Sequence, residues 1–238
     1  MPKLCTIFVL IQSNLFAVAF VCDHVASTKL PAITRYHQGQ NVNVRVVHSS
    51  FWMNPQTDID AAFGPLEYDF SNRMGWDNFY KSDSVNSVFE WHSEVSNDDI
   101  LGELFLHCGN NADDDSSSQS HLLIGTGNSL LPRDLYDKLD SGATVTCLDY
   151  SLTCIKNLEM VHGDSCPNMK FIHGDATMLT DIFSHNIEDP TGGSNNVLFN
   201  SVIDKGLIDA LMCSEGWNGP VVNVLQGVTS VLKTNGIF

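Results

Sequence analysis

Apolar residues in the second half of the chain fall into short, nearly continuous runs separated by stretches with helical spacing. That is the pattern of parallel strands buried on both faces with helices between them. The first run leads into a glycine turn: His121–Asn128 reads HLLIGTGN, a buried strand followed by a tight turn. A helix is predicted next, over Leu130–Leu139, and a second strand ends at Leu148-Asp149-Tyr150. Lys170–Asp175, KFIHGD, reads as a third strand ending in an acid, followed by Ala176. Asn196–Asp204, NVLFNSVID, reads as a fourth, and Lys205–Leu211 opens a helix. Over Asn218–Lys233, residues Val221, Val224, Leu225, Val228, Val231 and Leu232 recur at helical spacing, so an amphipathic helix is predicted. Asn235-Gly236 is expected to end it, and Ile237-Phe238 to begin a fifth strand. Strands alternating with helices predict an α/β fold with a Rossmann-like sheet.

The segments before this pattern differ from it. Lys3 precedes an apolar run, Leu4–Val21, interrupted at Gln12, Ser13 and Asn14, with Ala17-Val18-Ala19 offering a cleavage site before Phe20. A cleaved signal fits this better than a membrane span. Val21–Gln56 is poor in acids and rich in Ser, Thr and Asn, like a transit peptide. Residues 1–57 are therefore expected to be a targeting segment outside the fold, and 58–238 the folded domain. Such an address implies secretory entry or a complex plastid; the alternative is an uncleaved N-terminus on a cytoplasmic enzyme. A fluorescent fusion of residues 1–60 that stays in the cytosol would exclude the plastid address. Asp98–Cys108 predicts a helix packed before the sheet. Residues 109–120, GNNADDDSSSQS, read as an acidic low-complexity insertion, and Ser184–Asn195 as a loop.

The glycine turn points to chemistry. Gly125 and Gly127 allow a tight turn and close approach of a ligand, and the helix that follows aims its first N–H groups at that ligand. About twenty residues on, Asp149 is placed to accept from a ribose diol. The dinucleotide fingerprint wants a third glycine where Leu130 stands. A nucleoside with a small carboxylate tail fits better than a pyrophosphate, and S-adenosyl-L-methionine is that ligand.

Four motifs then carry a resemblance: GTGNS at Gly125–Ser129, DKGLIDAL at Asp204–Leu211, GWDNFY at Gly75–Tyr80 and FEW at Phe89–Trp91. Over roughly Phe63 to Phe238 the chain resembles the class I S-adenosylmethionine-dependent methyltransferases of the methyltransferase-like family. That family's characterised members methylate lysine, or the N-terminus, of translation elongation factor 1-alpha. Its motifs usually read GCGNS and DKGTLDAL, so Thr126, Leu207 and Ile208 depart from it. The resemblance implies that Trp76, Tyr80 and Trp91 close over the cofactor and that Gly125 and Gly127 form its loop. It further implies that Asp149 and Tyr150 meet the ribose and adenine, Asp175 and Ala176 the adenine edge, and that Lys205 contacts the cofactor. Each has a plainer reading: core aromatics, a helix entry, an Asp cap, a solvated lysine. Members of the class normally continue through a fifth strand, a helix and two more strands. The expected fold is accordingly a class I methyltransferase sheet with flanking helices, truncated after the start of the fifth strand.

Charge narrows the partner. Residues 1–57 carry four Lys and Arg against one acid, and the rest eight against twenty-seven, within a total of −16. The acidic body repels nucleic acid and attracts a basic protein, the alternative being that the acidity serves only solubility; the resemblance implies a translation elongation factor as that protein. The seven cysteines include no CxxC pair, and the histidines show no ligand spacing, so no metal site is expected. No residue is assigned as catalytic; Asp204, at the end of the fourth strand, is a candidate by position to stabilise the cation that loses its proton, and the alternative is that positioning and solvent suffice. The expected reaction is N-methylation of a lysine or N-terminus. The alternatives are a non-catalytic cofactor-binding or partner-interaction module and a nicotinamide-dependent oxidoreductase, against which Leu130 stands in place of the third glycine.

Overall fold

The structure is a computed structural model. It describes residues 5–12, 15–22, 70, 72–81, 88–91, 95–108, 119–184, 197–212 and 216–238. The expected low-complexity insertion, apart from residues 119 and 120, and nearly all of the 184–195 loop lie outside the described residues, as does most of the 1–57 segment. Within that segment, strands β1 (Cys5–Gln12) and β2 (Leu15–Cys22) pair antiparallel from Cys5↔Cys22 to Gln12↔Leu15. No helix among the described residues is long and apolar enough to cross a membrane.

The domain is built on five parallel strands: β3 (Ser120–Ile124), β4 (Thr144–Asp149), β5 (Met169–His173), β6 (Phe199–Asp204) and β7 (Leu232–Ile237). Their spatial order is β5-β4-β3-β6-β7. Successive residues of a strand point to opposite faces, and both faces are covered. Leu123, Val145, Cys147 and Ile203 pack towards helices α1 (Arg73–Lys81), α2 (Asn97–Cys108), α3 (Leu131–Lys138) and α4 (Leu152–His162). Leu122, Ile124, Leu148 and Val202 pack on the other side, towards α5 (Leu179–Ser184) and α7 (Asn218–Val231). A short helix α6 (Leu207–Met212) follows β6. The predicted α/β architecture is the observed one. Cys147, fully buried and free, fills the core, and burial pushes its thiol up to about 12.

Several boundaries differ from expectation: β5 ends at His173, two residues before Asp175, β6 begins only at Phe199, α6 begins at Leu207, and two further differences have a clear physical reason. The last helix stops at Val231 and the fifth strand begins at Leu232, five residues before the predicted Ile237. Leu232 is buried and falls on the helical period, but its backbone is extended (φ −81°, ψ 140°) and it pairs with Phe199. Burial at one position satisfies both periods, so periodicity runs past the true helix end. The ladder then shifts register before Ser201↔Ile237, and Asn235-Gly236 lie in that irregular strand instead of ending a helix. Ser120, expected at the end of the insertion, opens β3; its N–H donates to Asn200 Oδ1 at 2.8 Å.

One core histidine makes stability depend on pH. His121 on β3 lies opposite Ser201 on β6, its Nδ1 2.8 Å from Ser201 Oγ. Burial, with the charge of Lys233, pushes its imidazole from 6.5 down to about 4. The unfolded chain therefore holds more protons between these values. The stability linked to His121 is complete above about pH 6.5 and is lost as pH falls towards 4, by about 3 kcal/mol in total. Melting temperature should fall over that window. His121→Asn, which keeps a polar atom near Ser201, should flatten the slope; an unchanged slope in thermal melts would refute the assignment.

Candidate functional site

A cavity of about 260 Å³ opens at the carboxyl ends of β3, β4 and β6. That is the topological switch point, where chain order reverses on either side of β3 and ligands of open α/β sheets bind. Its floor is the β3–α3 turn. Gly125 and Gly127 both have positive φ, 59° and 58°, a conformation that side chains with a Cβ resist. Thr126 holds the turn to β4: its N–H and its hydroxyl each lie 3.2 Å from the Leu148 carbonyl oxygen, to which both donate.

Asp149, at the end of β4, is buried and tied on both oxygens. Oδ2 accepts from Gly127 N at 2.9 Å and Oδ1 from Ser151 N at 2.8 Å. Burial pushes its carboxyl up; these two N–H groups pull it back only in part. Each carboxylate oxygen has a second lone pair, so Asp149 braces the turn and still lines the cavity. Ser151 caps α4, accepting from Cys154 N at 3.2 Å, and its hydroxyl donates to Asp77 Oδ1 at 2.6 Å. Asp77, the acid of GWDNFY, thereby joins α1 to the start of α4. Burial raises its carboxyl, but the bonds from Ser151 and Thr153, with Lys81 nearby, outweigh that and hold it below the ordinary value.

The aromatic wall comes from α1 and residues 88–91. Trp76 stacks with Tyr80, ring centroids 6.2 Å apart, and meets Trp91 edge-on at 5.9 Å. Trp76 Nε1 donates to the Phe70 carbonyl at 3.0 Å, which fixes the indole. The rings thus form part of the core and part of the cavity surface.

Of the ten predicted site residues, nine line this cavity: Trp76, Tyr80, Trp91, Gly125, Asp149, Tyr150, Asp175, Ala176 and Lys205. Gly127 is not among its lining residues. Its N–H goes to Asp149, and a Cβ there would sit 3.1 Å from Tyr80 Oη. Asp175 also acts as a cap, its Oδ1 accepting from Thr177 N at 2.8 Å and Thr177 Oγ1 at 2.7 Å. Lys205 is no solvated lysine: its ammonium bonds Glu90 Oε2 at 2.8 Å and Asn97 Oδ1 at 2.7 Å. Asp204 is not among the lining residues, and its oxygens accept from Leu207 N and Ile208 N at 2.8 and 3.2 Å. It caps α6, a role that answers the positional expectation of a proton-handling carboxylate.

The α3 N-terminus also departs from expectation. Its N-cap, Leu130, has no side-chain cap. Glu90 Oε1 accepts from Leu130 N at 2.7 Å, and Ser129 Oγ accepts from Leu131 N at 3.0 Å. N–H groups expected to face a ligand are thus satisfied by the protein's own oxygens. Glu90, Asn97 and Asp77 escape sequence reasoning because an acid or amide in a polar stretch carries no periodic signal. The one available clue is that Glu90 and Asp77 stand inside the FEW and GWDNFY motifs. Among the described residues no three His, Cys, Asp or Glu side chains group as a metal site.

Strand order, glycine turn and cavity position are those of a Rossmann-like α/β fold, which class I S-adenosylmethionine-dependent methyltransferases share. No family model matches the chain. It is 27% identical over 172 residues to the eEF1A lysine and N-terminal methyltransferase homolog of Drosophila melanogaster, a match covering 71% of this chain and 22% of that protein. The corresponding homolog of Drosophila pseudoobscura pseudoobscura is 26% identical over the same length and shares. The chain thus spans about a fifth of the length of these curated relatives. Among solved structures, a SAM-dependent methyltransferase from Thiobacillus denitrificans in complex with S-adenosyl-L-homocysteine aligns with a TM-score of 0.40 and 16% identity, over 67% of this chain and 52% of that chain.

Proposed function

We propose that this domain binds S-adenosyl-L-methionine in the β3–β4–β6 cavity and presents it for methyl transfer to a nitrogen, a lysine or N-terminus, of a basic protein. The observation that carries this is the convergence on one cavity of nine residues from six separate sequence segments. Their chemistry suits the parts of that ligand. Asp149 offers lone pairs to a ribose diol, and Asp175 with Ala176 an edge for adenine. The rings of Trp76, Tyr80 and Trp91 favour a cation close to their faces, and Lys205 suits a carboxylate. The bound cofactor supplies an already activated methyl group on a sulfonium. What remains for the protein is alignment and exclusion of water, work for a rigid turn and an aromatic wall.

The methylated partner rests on the distant relatives and on charge. Residues 58–238 are strongly acidic, which favours encounter with a basic protein and disfavours nucleic acid. A translation elongation factor is the partner the relatives point to. The position of Asp204 favours a second reading, a cofactor-binding module without transfer: the carboxylate expected near the methyl group caps α6 and is not among the residues lining the cavity.

Calorimetric titration of S-adenosyl-L-methionine into the full chain tests the first step. Binding in the micromolar range, about −8 kcal/mol, is expected; no heat from a folded sample would overturn the cofactor assignment. Transfer of labelled methyl to a lysine-rich protein then separates enzyme from binding module.

A further inference from the structure

Glu90 has neighbours too specific for a surface acid. Its Oε2 accepts from Ser129 Oγ at 2.7 Å and from Lys205 Nζ at 2.8 Å, while Oε1 takes the Leu130 N–H at 2.7 Å. One carboxylate therefore joins residues 88–91, which carry part of the aromatic wall, to the end of the glycine turn and to the segment after β6. Asn97 extends the network, accepting from Lys205 Nζ and donating to Asp134 Oδ2 on α3 at 2.8 Å. The pair is largely sheltered, Lys205 10% and Glu90 23% exposed in their side chains. Burial alone raises the Glu90 carboxyl, but its bonds from Lys205, Ser129 and Leu130 hold it below the ordinary value, so it stays charged at neutral pH.

We infer that Glu90 is a positioning residue for the tail end of the cofactor site. It latches the aromatic segment to the start of α3 and fixes the Lys205 ammonium at the cavity wall. The inference rests on the S-adenosyl-L-methionine reading above. An ammonium has three donors. Two of those of Lys205 are taken by Glu90 and Asn97, and Lys205 lines the cavity, so the third is available to the ligand's carboxylate. The α3 N-terminus already holds Glu90, and Lys205 is the one basic side chain among the described residues that line the cavity, so its charge suits that carboxylate. A lysine on a flexible stem is a poor anchor unless its ammonium is held; Glu90 and Asn97 hold it. Glu90 acts on the amino-acid tail, while the nucleoside end is framed by Asp149, Asp175 and Ala176.

The test compares two ligands on the full chain: S-adenosyl-L-methionine, and 5′-methylthioadenosine, which lacks the amino-acid tail. Glu90→Ala should weaken the first by about tenfold or more and the second by less than about threefold. Where Glu90→Ala does not fold, Glu90→Gln carries the same comparison, since it removes the charge that holds Lys205. A merely structural role would weaken both ligands alike. Equal losses, or no loss, in a folded variant whose parent binds both ligands would overturn the inference alone. A parent that binds neither ligand overturns the cofactor reading and the inference with it.

Discussion

Gly125→Ala is expected to lower the melting temperature by roughly 5–15 °C and to abolish cofactor binding. Two costs add. With φ at 59°, an alanine enters the left-handed region, at about 1–2 kcal/mol. A Cβ built there would lie 2.6 Å from Leu207 Cβ, a separation that forces movement. Leu207 cannot yield freely, because it opens α6 and its N–H donates to Asp204 Oδ1 at 2.8 Å. Moving the start of α6 against the turn costs a further 1–3 kcal/mol or so, as overpacking does, and narrows a cavity lined by both residues. Gly102→Ala gives the opposing control. It lies exposed on α2 with nothing within 4 Å of a built Cβ, so it should stabilise by about 0.5–1 kcal/mol. Thermal melts of both variants decide the matter; a Gly125→Ala protein as stable as the parent would show that the turn is not as tight as described.

Asp149→Ala should cost affinity and stability together: about a hundredfold in S-adenosyl-L-methionine binding and about 2–5 kcal/mol in folding. Alanine strands two N–H groups, those of Gly127 and Ser151, which the carboxylate now accepts from. A buried donor left without a partner costs about 1–3 kcal/mol. The affinity loss follows from the proposed ribose contact and from release of the turn that Gly127 anchors. Asp149→Asn distinguishes the two contributions, because its single carbonyl oxygen can still brace one N–H while the amide end repels the other. It should recover part of the stability and little of the binding. Titrations run well below each variant's melting point would check this, and full affinity in Asp149→Ala would exclude the residue from the cofactor site.

Nine predicted residues met in one cavity, and the reason lies in local pattern. Continuous apolar runs mark strands buried on both faces, and a turn between strand and helix must sit at a strand's carboxyl end. Motifs at the ends of β3, β4, β5 and β6 therefore face the same edge of the sheet wherever the strands lie side by side. The glycines of the turn were readable for the same reason, since positive φ is a local demand. Where two local rules coincided, reading failed: Leu232 fits both the helical face and a buried strand, and only its pairing with Phe199 assigns it.

The amino-acid sequence by itself determined the strands and helices, their order, the turn and the edge of the sheet where the cavity opens, because each depends on residues within a few positions of one another. The tertiary structure decided which polar groups partner which. Glu90 meets Ser129 39 positions on and Lys205 115 positions on, and Ser151 meets Asp77 across 74. Such partners are selected by the satisfaction of buried charges and N–H groups after the chain has packed. No spacing rule links them. The same packing turned Asp204 into a cap for α6 and placed a protein carboxylate on the α3 N-terminus, where a ligand had been expected.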